Sequence, residues 1–193
     1  MKSFRFVSHW ILLGILGMLL LSIAPALAQT YQEKVEKDQA PEITVGQLAP
    51  DFTATDLDGT EFTLSSMLGI KPVVLDFWAT WCPPCRRELP FIKEFDATYG
   101  DQVLVYCITS EAPEDLDTIT KFLSDNDYHM KVIHDSDRTI GNSYYANAIP
   151  YLVVIGVDGK VLATHLGYSE ETDVVGELVS DLNLEPPAQE QAQ

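Results

Sequence analysis

Val73-Val74-Leu75-Asp76-Phe77-Trp78-Ala79-Thr80-Trp81-Cys82-Pro83-Pro84-Cys85 is the stretch that decides how this chain is read. From Val73 to Trp78 only Asp76 is polar, and such a run suits a strand in the middle of a sheet covered on both faces. A helical pattern follows from Cys82 to Tyr99, closed by Gly100. Two cysteines with two residues between them can close a small disulfide and reopen it as a dithiol. The thiolate is the attacking species, and at a pKa near ~8.5 only about 3% of a cysteine is ionised at pH 7. A helix N-terminus favours the anion through its dipole and its unpartnered N–H groups. With Cys82 as N-cap, Pro83 and Pro84 occupy the first two helical positions, where no helical bond is lost by lacking an N–H. They leave the Cys85 N–H as the natural partner of the Cys82 sulfur. Cys82 then reads as the nucleophile and Cys85 as the resolving thiol. The competing reading, an inert structural disulfide, gains little stability from so short a loop.

Around this segment strand and helix signals alternate. Phe52 to Thr55 and Glu61 to Leu64 flank Asp58-Gly59, a hairpin signal, and Tyr151 to Val157 and Lys160 to His165 flank a second one at Asp158-Gly159. Val103 to Thr109 reads as a buried strand, and Lys131 to His134 as a short one. Glu114 to Asn126 places Leu116, Ile119, Phe122 and Leu123 at helical spacing. Arg138 to Tyr145 predicts a short helix and Glu170 to Leu182 a terminal one. The pattern is that of an α/β sandwich with a mixed sheet.

The ends differ from this middle. Residues 1–28 read as a signal peptide. Lys2 and Arg5 precede an apolar run from Trp10 to Ile23, and Ala26-Leu27-Ala28 fits a cleavage site. The run is close to spanning length, so an uncleaved N-terminal membrane anchor is the alternative. Residues 29–45 are a polar linker, 46–183 one domain, and 184–193 a disordered tail. The chain's formal charge of −17 becomes −19 without Lys2 and Arg5, which argues against nucleic acid and anionic membrane surfaces as partners. Three cysteines are too few for a disulfide scaffold. Neither Cys107 nor the histidines (His9, His129, His134, His165) offer paired metal-ligand spacing. Cys107 reads as a buried, inert thiol.

The segment Val74 to Cys85 resembles the active-site segment of thioredoxins. Asp76 stands where thioredoxins carry a buried acid, and Pro90 where their long helix kinks. Ile149-Pro150 stands where they hold a cis-proline against the active site, and Gly167 follows the last hairpin as in their pattern. Within that superfamily the chain is similar to the exported TlpA/ResA-like proteins. Ala49-Pro50-Asp51-Phe52 with Leu57-Asp58-Gly59-Thr60, an insert from about Glu111 to His134, and Glu88 carry that likeness. The resemblance implies a thioredoxin-like fold: a central mixed β-sheet flanked by helices, an N-terminal β-hairpin and a central helix–strand insert. It also implies a periplasmic or otherwise extracytoplasmic protein-disulfide reductase, monomeric and without cofactor or metal. Its substrates would be exported disulfide-containing proteins, apocytochrome c among them, and a membrane thiol electron donor would recharge it.

The remaining site residues take their roles from chemistry and resemblance together. Asp76, an acid in an apolar strand, is a candidate proton relay for Cys85. Glu88 would tune the thiols or, alternatively, be an exposed helix acid. Pro150, if cis, would present the Ile149 backbone to a substrate strand. Trp81, Pro83, Pro84, Ile149 and Tyr151 complete the expected substrate contacts, although Tyr151 stands where the family usually has threonine. The Pro-Pro pair occurs in several redox subfamilies, so an oxidase or isomerase stays open. A peroxiredoxin-like thiol peroxidase is weaker, because Ala79 replaces the threonine expected three positions before a peroxidatic cysteine. A non-catalytic binding module would not need Asp76, Cys82, Cys85 and Pro150 together.

Overall fold

The computed structural model describes residues 42–185. The expected leader (1–28), the linker as far as residue 41, and the tail beyond Glu185 lie outside the described residues. A five-stranded sheet is ordered β5-β4-β3-β6-β7, with β3 Val73–Trp78, β4 Leu104–Thr109, β5 Lys131–His134, β6 Tyr151–Ile155 and β7 Val161–Leu166. β3 pairs in parallel with β4 and antiparallel with β6, so the apolar run becomes the central strand, and each of its six residues is buried. The sheet is therefore mixed, flanked by α1 Pro83–Tyr99, α2 Leu116–Asp125, α3 Thr139–Ser143 and α4 Val174–Leu182.

Strand alternation divides the core in two. Val74 and Trp78 share one face with Cys82, Cys85, Leu89, Ile92 and Phe95 of the α1 layer. Val73, Leu75 and Phe77 face the opposite cluster, with Phe62, Tyr106 and Tyr144. Asp76 has the parity of Val74 and Trp78, so its carboxyl points into the α1 layer.

The N-terminal hairpin pairs β1 Thr53–Thr55 with β2 Glu61–Thr63. The Asp56 carboxylate accepts from the N–H groups of Asp58 (3.0 Å) and Thr60 (2.8 Å), an Asx arrangement that tightens the turn at Gly59 (φ +84°). The hairpin joins the edge of the main sheet through an Asp56–Ile133 bridge.

The packed chain begins before residue 46. Ile43 is buried, and Gly46 donates to the Val161 carbonyl at 2.8 Å. At the other end Leu184 still packs on the core. The terminal helix starts later than Glu170, because Asp173 is its N-cap and accepts from the Gly176 N–H at 3.0 Å.

Candidate active site

Cys82 and Cys85 form a disulfide with a Cα–Cα distance of 5.3 Å. Cys82 caps α1 from an extended backbone, and its sulfur accepts from the Cys85 N–H at 3.3 Å. This is the donor that the two prolines leave available. The two sulfurs are not equally reachable: Cys82 keeps 3% of its surface, whereas Cys85 keeps none. An incoming group therefore meets Cys82 first.

The wall facing Cys82 is the loop before β6. The Ile149-Pro150 peptide is cis, and the Ile149 carbonyl oxygen lies 3.8 Å from Cys82 Sγ. The Gly167 N–H donates to the Pro150 carbonyl at 2.8 Å, tying this loop to the end of β7. Gly167 has φ +84°, a conformation that glycine adopts without strain. Trp81 (68% exposed) and Pro83 stand at the surface beside the disulfide, with Pro84 half-buried. Tyr151 does not join them. The odd-numbered residues of β6 face away from α1, and the Tyr151 ring stacks on Phe77 with centroids 6.0 Å apart. Tyr151, also expected among the substrate contacts, thus turns its side chain to the face opposite α1.

Two acids lie beneath the disulfide layer. Both carboxyl oxygens of Asp76 are buried without a hydrogen-bond partner. Burial pushes its pKa from 3.8 up to about 7, an effect that the Cys107 thiol, opposite it in the parallel register, partly offsets. Glu88 is not an exposed helix acid: it is 2% exposed, and its Oε2 has no partner. Burial raises its pKa most, and the neighbouring Asp76 and Glu177 carboxylates raise it further, to about 9. With a pKa near 7, Asp76 is suited to accepting and returning a proton, whereas Glu88 stays protonated at neutral pH. Cys107 is buried, and desolvation drives its thiol well above the ordinary range.

Glu111, the start of the expected insert, carries a role that no local sequence signal announces. It is buried, and its carboxylate accepts from the Thr80 N–H (2.9 Å), the Thr80 hydroxyl (2.5 Å) and the Thr109 hydroxyl (2.8 Å). The end of β4 is thereby fastened to Thr80, two positions before Cys82. Glu111→Ala should destabilise the fold by about 2 kcal/mol, because the buried Thr109 hydroxyl loses its acceptor and Thr80 is left to water. Chemical denaturation would measure this, and a change below about 0.5 kcal/mol would show that the network does not hold the loop.

Comparison with known proteins agrees with this geometry. The Redoxin family model matches residues 44–182. The thiol-disulfide oxidoreductase ResA of Bacillus cereus is 31% identical over 175 residues, 91% of this chain and 93% of the relative. A secreted Mycobacterium tuberculosis disulfide oxidoreductase, homologous to E. coli DsbE, superposes with a TM-score of 0.58 at 28% identity, over 67% of this chain and 95% of that one. The exposed lipoprotein thioredoxin of Streptococcus pneumoniae gives a TM-score of 0.58 at 27% identity, over 68% and 99%.

Proposed function

The chain belongs to the Redoxin family, in its TlpA/ResA-like thioredoxin branch, and from that premise we propose that it is a thiol–disulfide oxidoreductase that reduces disulfides in exported proteins. The observation that carries this reading is the Cys82–Cys85 disulfide, capping a helix with Cys82 slightly accessible and Cys85 fully enclosed. In the dithiol form, the Cys82 thiolate attacks a substrate disulfide. A Cys82–substrate disulfide forms and one substrate thiolate leaves. Cys85 then gives up its proton, with Asp76 as acceptor, and attacks the Cys82 sulfur. The second substrate thiolate leaves, two electrons have passed to the substrate, and the Cys82–Cys85 disulfide is restored. Glu88 tunes the pair from below, and the Ile149-Pro150 backbone receives the substrate strand.

Repetition requires an outside reductant, for which a membrane thiol donor fits an exported chain. The apolar run from Trp10 to Ile23 supports export, and so does the likeness to a secreted oxidoreductase and an exposed lipoprotein thioredoxin. Apocytochrome c, whose thiols must be free before haem attachment, is the proposed substrate class.

The reduction potential tests the direction of electron flow. A reductase should equilibrate with glutathione or dithiothreitol at a potential near or below about −250 mV, in the range of thioredoxin. A value near about −120 mV, the range of a strong oxidant, would overturn the reductase reading in favour of an oxidase.

A further inference from the structure

Trp81, the residue before Cys82, and Ile149 help to wall a cavity of about 90 Å³, enough for several waters or one short side chain, with Trp78, Glu111, Arg138 and Asn147 also among its walls. Ile149 belongs both to this wall and to the carbonyl facing Cys82 Sγ. At about 3.3 Å per extended residue, a substrate cysteine bonded to Cys82 carries its neighbours one or two positions away over the cavity.

The charged group left open in these walls is a cation. The exposed Arg138 guanidinium makes no ion pair with any described carboxylate, and the Asn147 side chain, exposed beside it in the wall, can donate or accept. The acidic member, Glu111, is buried and already accepts from Thr80 and Thr109, whereas Arg138 is exposed. The wider charge pattern has the same sense. Arg86, Arg87 and Arg138 are the three arginines of residues 42–185, and all lie on segments flanking the disulfide in a chain of net charge −17. Three of the five lysines in that range are instead tied to aspartates elsewhere on the surface. Arginine's planar fork matches a carboxylate better than lysine does.

We propose that this cavity is a specificity pocket for an aspartate or glutamate one or two residues from the substrate cysteine, with Arg138 as the discriminating residue. The proposal rests on the reductase reading and names the substrate feature that the same site selects. Arg138 is held for this role at φ +60°, ahead of α3. The Asp135 carboxylate pins the neighbouring turn by accepting from the N–H groups of Ile140 (3.0 Å) and Gly141 (2.7 Å).

The test uses the dithiol form of the whole chain and three cystine-loop peptides differing only in Glu, Gln or Lys beside the attacked cysteine. The Glu peptide should be reduced about tenfold faster than the Gln peptide, the size of one charge-assisted hydrogen bond in a partly enclosed site. The preference should shrink as salt rises. Arg138→Asn should bring the Glu/Gln ratio to about one, and Arg138→Asp should turn the preference toward the Lys peptide. Asparagine and aspartate are chosen because both tolerate the left-handed conformation. Equal rates for all three peptides, or an unchanged ratio in a folded Arg138→Asn protein, overturn the pocket and leave the reductase reading standing. Failure to reduce any of the peptides overturns both.

Discussion

Cys82→Ser should abolish disulfide reduction, and Cys85→Ser should stop it after the first bond. A serine hydroxyl is not ionised near neutral pH and does not cleave disulfides, and no second thiol can substitute. Cys85 has no accessible surface, so a protein disulfide cannot approach it from outside. Cys107 is equally enclosed, and burial holds its thiol protonated. In Cys85→Ser the Cys82 thiolate still attacks, but the internal thiol that would release the substrate is gone. An intramolecular group of this kind reaches effective molarities of 10⁵ M or more in well-oriented systems. Its removal should lengthen the life of the mixed disulfide from fleeting to isolable. Intact mass measured after mixing with a disulfide peptide should therefore show one peptide on Cys85→Ser and none on Cys82→Ser. If the adduct forms on Cys82→Ser, the two roles are reversed.

Activation of Cys82 by the helix is a smaller matter than the pairing. Lowering a thiol pKa from ~8.5 to ~7 raises the thiolate fraction about fifteenfold, and reduced nucleophilicity returns roughly fivefold of that. The net gain is severalfold. Access and the resolving thiol are worth more, and both follow from where Cys82 and Cys85 sit on the first turn of α1.

Those positions were legible in the chain because local rules fix them. An uninterrupted apolar run makes a central strand, two prolines open a helix, and Asp-Gly closes a hairpin. Other features depend on elements brought together from a distance. Glu88 sits three residues after Cys85, and helical spacing alone does not decide whether that face is covered. Its burial and its interaction with Glu177 require α4 to be in place. Glu111 bonds Thr80 across 31 positions, and nothing near either residue announces the other. Tyr151 is adjacent in sequence to Pro150, yet strand alternation turns its side chain away from the cysteines. The Arg138 cavity is assembled from the ends of β3 and β4, the turn before α3 and the loop before β6. No single stretch contains it.

Asp76→Asn should make the protein more stable at pH 8 and slower at resolution, with the stability gain absent at acid pH. The wild-type carboxyl has a pKa of 3.8 when exposed in the unfolded chain and about 7 in the folded one, chiefly because burial disfavours its anion. Well below its unfolded pKa of 3.8 it is neutral in both states and does not affect the balance, and near pH 4 its effect is still small. As pH rises toward 7 the unfolded chain ionises it first and binds fewer protons than the folded chain, so stability falls with pH over this window. Above about pH 7 the loss is complete, and a difference of about three pKa units corresponds to about 4 kcal/mol. Asparagine is of similar size and does not titrate, so it removes this penalty while leaving a polar group in the same site. Denaturation at pH 8 should show the variant more stable by about 3 kcal/mol, and at pH 4 the two proteins should be nearly equal. The same substitution removes the acceptor for the Cys85 proton. Closure of the mixed disulfide should slow by about a hundredfold, the lower range for loss of a general base. A stability difference that is the same at pH 4 and pH 8 would show that Asp76 does not titrate as a buried acid. Greater stability with undiminished closure would show a carboxyl that burdens the fold without serving the thiols, and the proton would have to leave Cys85 by a route other than Asp76.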